Sequence, residues 1–438
     1  MWAGINHQIN KSFGGCMSDP LAINGGAPVR TASWPPLVPG ATAYGEEEKR
    51  AAIEVIESQS PFRYYGEKPL GKVDKLEEAY ARYVGTRFAL ATHSGSTALS
   101  VALAALGVGP GTEVIVPAFM WIADVNAIVH LRAIPVLAEI DETLNLDPND
   151  LAQRITPRTK AIIAVHMAGT AADMPAILAI ADRHGVPVLE DCSQAAGAMI
   201  EGQIVGSMGA VGIVSLQYNK NFTTGEGGMI TTSSEEVFRR SICYHDMGFE
   251  RDMQGVSVPQ DSPFETWGMG ARMDELRGAI GLVQLGKLPD LVGAMRGHQH
   301  RLREALGKTP GIHLRRLVDP TGDSGSYLAW FHDSADLAEK FMDALNAEGI
   351  PASRPHGGIH QYRHMTNLLS NTPVTTEGCP WSCPYNAESP MEYKANMLPR
   401  SNQLLDKARM LSLPPLLTDQ DVNDVIRAFR KVKRGKGD

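Results

Sequence analysis

Cysteine is scarce in this chain. Five in 438 residues are too few for a disulfide framework, so a reduced, cytoplasmic setting is expected. Long apolar runs are missing: no uninterrupted stretch reaches the roughly 20 residues that span a bilayer, so no membrane partner is expected. Met1 to Gly15 lack the apolar block of a secretory leader. Positive charge is not in excess either. A formal net charge of −8 gives no reason to expect nucleic acid as a partner. The basic stretch from Arg430 to Lys436 reads as a solvated helix end. Repeats and low-complexity tracts are absent. What remains is an ordinary globular composition, in a chain long enough for two or three structural units. Met17, followed by Ser-Asp-Pro, has the character of a start, with residues 1–16 an upstream extension.

Residues 17–44 are rich in Pro and Gly and read as an irregular arm, so 1–44 are taken as extension and arm. Beyond them helical and strand patterns alternate. Helices are expected over 46–58, 73–84, 96–106, 122–131 and 174–184. Strands are expected over 87–92, 113–117, 135–139, 161–166, 187–190, 212–216 and 228–232. Short apolar strands between helices of this length predict an α/β fold with a mainly parallel sheet covered on both faces. Ligands of such sheets bind outside the carboxyl ends of the strands. A helix over 273–287 is expected to give way at Pro289 to a second over 291–306. Strands at 312–317 and 327–332 and a helix over 335–348 follow, and Thr418 is placed to cap the final helix. The expected division is a large α/β domain over 45–289 and a smaller C-terminal α+β domain over 290–438.

The residues that carry chemistry fall mostly at strand ends. Lys220 closes Ser215-Leu216-Gln217-Tyr218-Asn219-Lys220 and precedes the turn Thr224-Gly225-Glu226-Gly227-Gly228. A lysine there can reach into a cleft and form an imine with an aldehyde cofactor. Asp191 ends the strand that contains Val188-Leu189-Glu190. It is either a helix cap or a partner for a protonated pyridine nitrogen, a pairing that keeps such a ring an electron sink. Ser94-Gly95-Ser96-Thr97 lies between a strand and a helix; it is a plain cap or a phosphate cradle built on free helix amides. Trp121 follows the next strand and is a core residue or a stacking platform.

Cradle, aromatic, carboxylate and lysine at successive strand ends resemble the fold-type I pyridoxal-phosphate enzymes, and within them the DegT/DnrJ/EryC1/StrS sugar aminotransferases. The segments that carry the resemblance are Gly95-Ser96-Thr97-Ala98-Leu99, Val116-Pro117-Ala118-Phe119-Met120-Trp121, Glu190-Asp191-Cys192-Ser193-Gln194-Ala195 and Ser215 to Lys220. Arg272-Met273 and Gln284-Leu285 continue it. The resemblance implies pyridoxal 5'-phosphate as cofactor and a seven-stranded, mainly parallel sheet. It makes Lys220 the imine lysine and proton shuttle, with Asp191 on the ring nitrogen and Gln194 near the ring hydroxyl. Trp121 would stack on the ring, and Gly95, Ser96 and Ser215 would bind the phosphate. It implies a homodimer with shared active sites, and transfer of an amino group from glutamate or glutamine to a ketosugar (nucleotide-linked or a sugar acid) or a keto-cyclitol. The segments Leu21 to Arg30 and Trp34-Pro35-Pro36 resemble the subgroup that uses cyclitol ketones. Gly270 stands where the family often has an asparagine that reaches the neighbouring subunit's phosphate. Family members that dehydrate sugars carry histidine at the position of Lys220. A dehydrating, aromatising synthase and a non-catalytic pyridoxal-phosphate-binding regulator are the alternative readings.

Gly66 to Val73 nearly matches a Walker A loop, but Val73 replaces the hydroxyl that would hold magnesium. Gly107-Val108-Gly109-Pro110-Gly111 follows a helix and precedes a strand, the wrong order for a dinucleotide fingerprint. His356, His360 and His364 are four apart, with Cys379 and Cys383 nearby. Gly357-Gly358 argues against one helix aligning the histidines, so no metal is expected. His356 and His360 are instead candidates for substrate contact. The aromatic, basic segment from Ser60 to Gly66 suggests Arg63 and Tyr64 as further substrate-contacting residues, with Arg63 meeting a carboxylate.

Overall fold

The computed structural model describes residues 20–251, 262–382, 384–386 and 391–435. Residues 1–16 and Cys383 lie outside these, as does Lys436. The strands of the main sheet are β1 (Phe88–Thr92), β2 (Glu113–Pro117), β3 (Ile134–Ala138), β4 (Thr159–Val165), β5 (Val188–Asp191), β6 (Val211–Ser215) and β7 (Gly228–Thr232). Their order across the sheet is β1-β7-β6-β5-β4-β2-β3. Only β7 runs against the rest, pairing antiparallel with both β1 and β6.

The strand sequences explain this placement. Val114, Val116, Ile163 and Val165 point to one apolar cluster, while Ile115, Ile162 and Ala164 point to another. A strand with period-2 side chains that is apolar on both faces needs cover on both. Helices α1 (Glu46–Ser58), α2 (Lys72–Val84), α3 (Gly95–Ala105), α4 (Ile122–His130) and α5 (Met174–His184) match the expected helices within a residue or so.

The expected break at Pro289 does not occur. A single helix, α6 (Glu275–Leu306), runs through it for 32 residues, opened by Asp274, whose Oδ1 accepts the Arg277 N–H at 2.9 Å. Proline in a helix interior removes one backbone bond and costs about 3 kcal/mol. Leu285, Leu288, Val292 and Met295, on either side of it, are all buried in the core of the main sheet. Each such side chain returns roughly 1.5–3 kcal/mol, so burial outweighs the missing bond. Further along, Leu302 and Leu306 of the same helix enter a third cluster. That cluster belongs to a three-stranded sheet of β8 (His313–Leu314), β9 (Tyr327–Phe331) and β10 (Ala408–Ser412), covered by α7 (Ala335–Ala347) and α8 (Asp419–Arg434). Strand β8 is shorter than expected because Arg315 turns its side chain inward. There it donates to the carbonyls of Thr143 and Met167 at 2.6 and 2.9 Å. Thr418 caps α8 as expected, in a reciprocal pair with Asp421.

The arm is tied down at both ends. Leu21 is part of the third cluster, and Arg30 is paired with Asp421 and Asp424 of α8. Further on, the Gly40 N–H donates to the Lys220 carbonyl at 3.1 Å. A Cβ on Gly40 would lie 2.8 Å from Phe222 Cα and from Thr223 N, so only glycine lets the arm come this close.

Candidate active site

The carboxyl ends of the strands open on a cavity of about 380 Å³. At one end is the N-terminus of α3. Ser94 Oγ accepts the Thr97 N–H at 3.1 Å, which leaves the amides at the start of the helix facing the cavity. Gly95 is packed against Ser215: an added Cβ would sit 2.6 Å from Ser215 Cβ. Ser215 Oγ accepts the Gln217 N–H, so its own proton is free to point at a ligand. Helix amides and the hydroxyls of Ser96 and Ser215 suit a phosphate dianion.

Asp191 closes β5 and is buried. Its Oδ1 accepts the Ser193 N–H at 2.8 Å. Gln194 Oε1 accepts the Ala168 N–H at 3.0 Å, so the amide nitrogen is the end left to donate into the cavity. Trp121 precedes α4, lines the cavity, and packs against His360 with ring centroids 4.6 Å apart.

Lys220 follows β6 in a tight turn, with its N–H on the Gln217 carbonyl at 2.9 Å. Among the described residues its amino group makes no ion pair or hydrogen bond. Burial lowers its pKa, while the charge of Asp191 opposes that shift. A second cavity, of about 300 Å³, adjoins the first at Lys220, Asn219 and His360 and adds Tyr327 and His356. Burial, helped by the neighbouring positive charge of Lys220, pushes both histidines down to about 4, so both are neutral near pH 7. Their rings lie 4.8 Å apart.

Gly95, Ser96, Trp121, Asp191, Gln194, Ser215 and Lys220 thus line one cavity, and His356 and His360 stand at its continuation. Arg63 and Tyr64 are not brought there, which corrects their expected place at the substrate pocket. Arg63 is buried against Glu77, both of whose oxygens accept from it at 2.8 Å, and against Asp74 at 3.0 Å. The Tyr64 ring lies between the guanidinium groups of Arg63 and Arg251, at 4.7 and 3.9 Å.

Two features escaped the sequence reading. One is a platform under Asp191. The Ala172 N–H donates to His166 Nδ1 at 2.9 Å, so Nε2 carries the proton and donates to Glu190 Oε2 at 3.1 Å. Glu190 also accepts from the amides of Gly206, Met208 and Gly209. Burial would raise its pKa, but these donors hold it below the usual range. The ligand-type atoms of His166, Glu190 and Cys192 lie within 4.8 Å of one another, yet the His166 nitrogens and both Glu190 oxygens already have partners. The second feature is Asp124, buried beside Asp191. Only the hydrogen-bond pattern reveals the platform. The signal for Asp124 was an acidic residue in a mostly apolar helical stretch.

An anion cradle, a flat indole, a buried carboxylate and an unpaired amine on a mainly parallel sheet define a fold-type I pyridoxal-phosphate enzyme. Comparisons with known proteins agree. The model of the DegT/DnrJ/EryC1/StrS aminotransferase family matches residues 43–430. The spore coat polysaccharide biosynthesis protein SpsC of Bacillus subtilis is 33% identical over 396 residues, covering 89% of this chain and 95% of that protein. The L-glutamine:2-deoxy-scyllo-inosose aminotransferase of Streptomyces kanamyceticus is 33% identical, covering 95% of this chain and 97% of its own. An aminotransferase structure from Psychrobacter cryohalolentis superposes with a TM-score of 0.74 at 28% identity, over 91% of this chain and 98% of that one. The chain belongs to the DegT/DnrJ/EryC1/StrS aminotransferase family and is a pyridoxal-phosphate-dependent aminotransferase. No helix among the described residues is long and apolar enough to cross a membrane.

Proposed function

We propose that the protein moves the amino group of glutamate or glutamine onto a ketosugar or keto-cyclitol. The observation that carries this reading is the place of Lys220, an unpaired amine where a cofactor-sized cavity meets a second, neutral one. Pyridoxal phosphate, when bound, supplies the electron sink for charge that develops at the donor's Cα and carries the amino group between substrates. Gly95, Ser96 and Ser215 would hold its phosphate, Asp191 would pair with its ring nitrogen and Gln194 with its ring oxygen, and Trp121 would stack on the ring. Lys220 Nζ takes the proton from the donor's Cα and returns one to the product. Its lowered pKa keeps more of the amine neutral and able to accept that proton.

The second cavity supports a hydroxyl-rich acceptor. Asn219, Asn221, Ser326, Tyr327, His356 and His360 offer donors and acceptors, and Lys220 is the only charged side chain lining it among the described residues. A ring with many hydroxyls and no charge fits this lining, which favours a cyclitol ketone. We also propose that the protein works in the cytoplasm as a homodimer, with the sheet unit over 45–289 and the smaller unit over 290–438. Met247, Phe249, Trp267 and Met269 form an exposed apolar surface, drawn together by backbone bonds from Gly248 to Cys243 and from Met269 to Tyr244. Such a surface suits a second copy.

The visible absorbance of the cofactor-loaded protein tests the reading. It is expected to bleach on adding glutamine or glutamate and to return on adding the acceptor ketone. A band left unchanged by every amino donor would overturn amino transfer.

A further inference from the structure

Asp124 lies in the first turn of α4 with no exposed surface. Among the described residues neither of its carboxyl oxygens accepts a hydrogen bond of normal geometry. An ionised carboxylate in that state is among the most unfavourable arrangements in a protein interior. Three groups face it: the Asp191 carboxyl at the end of β5, within hydrogen-bonding reach, the Lys220 amine after β6, and the Trp121 amide at the start of its own helix. Two adjacent carboxyls can share one proton, the acid donating to the carboxylate. The structure says which of them keeps it. Asp191 Oδ1 already accepts the Ser193 N–H at 2.8 Å, whereas neither Asp124 oxygen accepts a hydrogen bond of normal geometry from the protein. Burial first, and the charge of Asp191 second, push the pKa of Asp124 well above the ordinary carboxyl range. The Trp121 amide and Lys220 pull the other way.

We propose that Asp124 is a positioning residue: it stays a carboxylic acid, donates to Asp191, and fixes the orientation of the carboxylate that faces the cofactor's ring nitrogen. The inference rests on the assignment of Asp191 to that nitrogen. Asp191 accepts from the Ser193 amide on one side and from the Asp124 acid on another, so its remaining lone pairs are aimed at the cavity. A structural filler at this position has no such effect, and an apolar side chain would replace it without loss at the cofactor.

Infrared difference spectra of wild type against Asp124→Asn, in apoprotein and cofactor-loaded forms, test the proton itself. A protonated carboxyl band at neutral pH that disappears in the variant is expected; no lost acid band overturns the proposal. Titration with pyridoxal phosphate tests the role. Asp124→Asn keeps an N–H donor and is expected to bind the cofactor within a few-fold of wild type. Asp124→Leu is expected to weaken binding roughly ten- to a hundredfold, the worth of one hydrogen bond to a charged group. Equal affinity in wild type and Asp124→Leu, or an Asn variant as weak as the Leu variant, overturns the role. If the Leu variant does not fold, the infrared spectra and the Asn variant decide. Asp191→Asn separates the two readings. Unchanged cofactor affinity there overturns the assignment of Asp191, whereas weakened affinity there, beside a normal Asp124→Leu, overturns only the positioning role.

Discussion

Arg63 and Lys220 are both cations held within the protein, and their surroundings could hardly differ more. Arg63 has Glu77 on two of its N–H groups and Asp74 on another. Burial alone would lower its pKa, but the charge of Glu77 more than reverses this and holds it above the usual guanidinium range. Lys220 has carboxyls nearby but, among the described residues, none in contact, and burial keeps its pKa lowered. A saturated cation fixes structure. An unsaturated one is less stable than it could be and is available to a ligand. Both stand in segments that the sequence marked as functional, and only their partners tell them apart.

Substitutions at the two positions can break this contrast. The largest effect is expected for Lys220→Ala, where amino transfer falls by roughly 10³-fold or more while circular dichroism reports an unchanged fold; residual turnover near wild type would remove Lys220 from the chemistry. Next, Arg63→Ala strands Glu77 in the interior and is expected to destabilise the protein by about 3–5 kcal/mol, read as a lower urea midpoint. Lys220→Met should do the opposite, raising apoprotein stability by about 1 kcal/mol. That gain has a pH signature. Between the lowered native pKa of Lys220 and the usual lysine value of 10.5, the unfolded chain binds the extra proton, so wild-type stability rises with pH. The advantage of Lys220→Met is therefore full below the native pKa and fades toward 10.5; a gain independent of pH would mean better packing instead. The smallest effect is expected at His360. Its pKa of about 4 means the unfolded state binds more protons between 6.5 and 4, so stability falls as pH drops through that window. His360→Gln should flatten the fall slightly in acid unfolding curves.

The same contrast explains how much was legible beforehand. The strands and helices around the sheet announce themselves because they are apolar with clear periods, and Lys220 and Asp191 because a strand end precedes each. Arg63 was misplaced because its segment, Ser60 to Gly66, gives no hint that Glu77 and Asp74 of α2 would close on it from 11 to 14 residues away. Pro289 misled for a related reason: local chemistry says stop, but the buried residues on both sides say continue. Asp124 went unassigned because a carboxyl's role depends on whether it finds a donor, and that is decided by three separate elements meeting.

One consequence concerns the order in which the chain is made. Gly40 fastens the backbone of Lys220, and Arg30, ten residues earlier, is fastened by Asp421 and Asp424. The arm leaves the ribosome well before its anchors on α8, which follow 391 residues later for Asp421. Domains can fold as they emerge, but the strand-end cavity also needs His360, which lies beyond α6 and packs on Trp121. The strap across the lysine cannot be fastened at its Arg30 end until α8 has emerged. A chain truncated before α8 would carry every residue of the pocket, and the strap beside the lysine, without the anchor that holds Arg30.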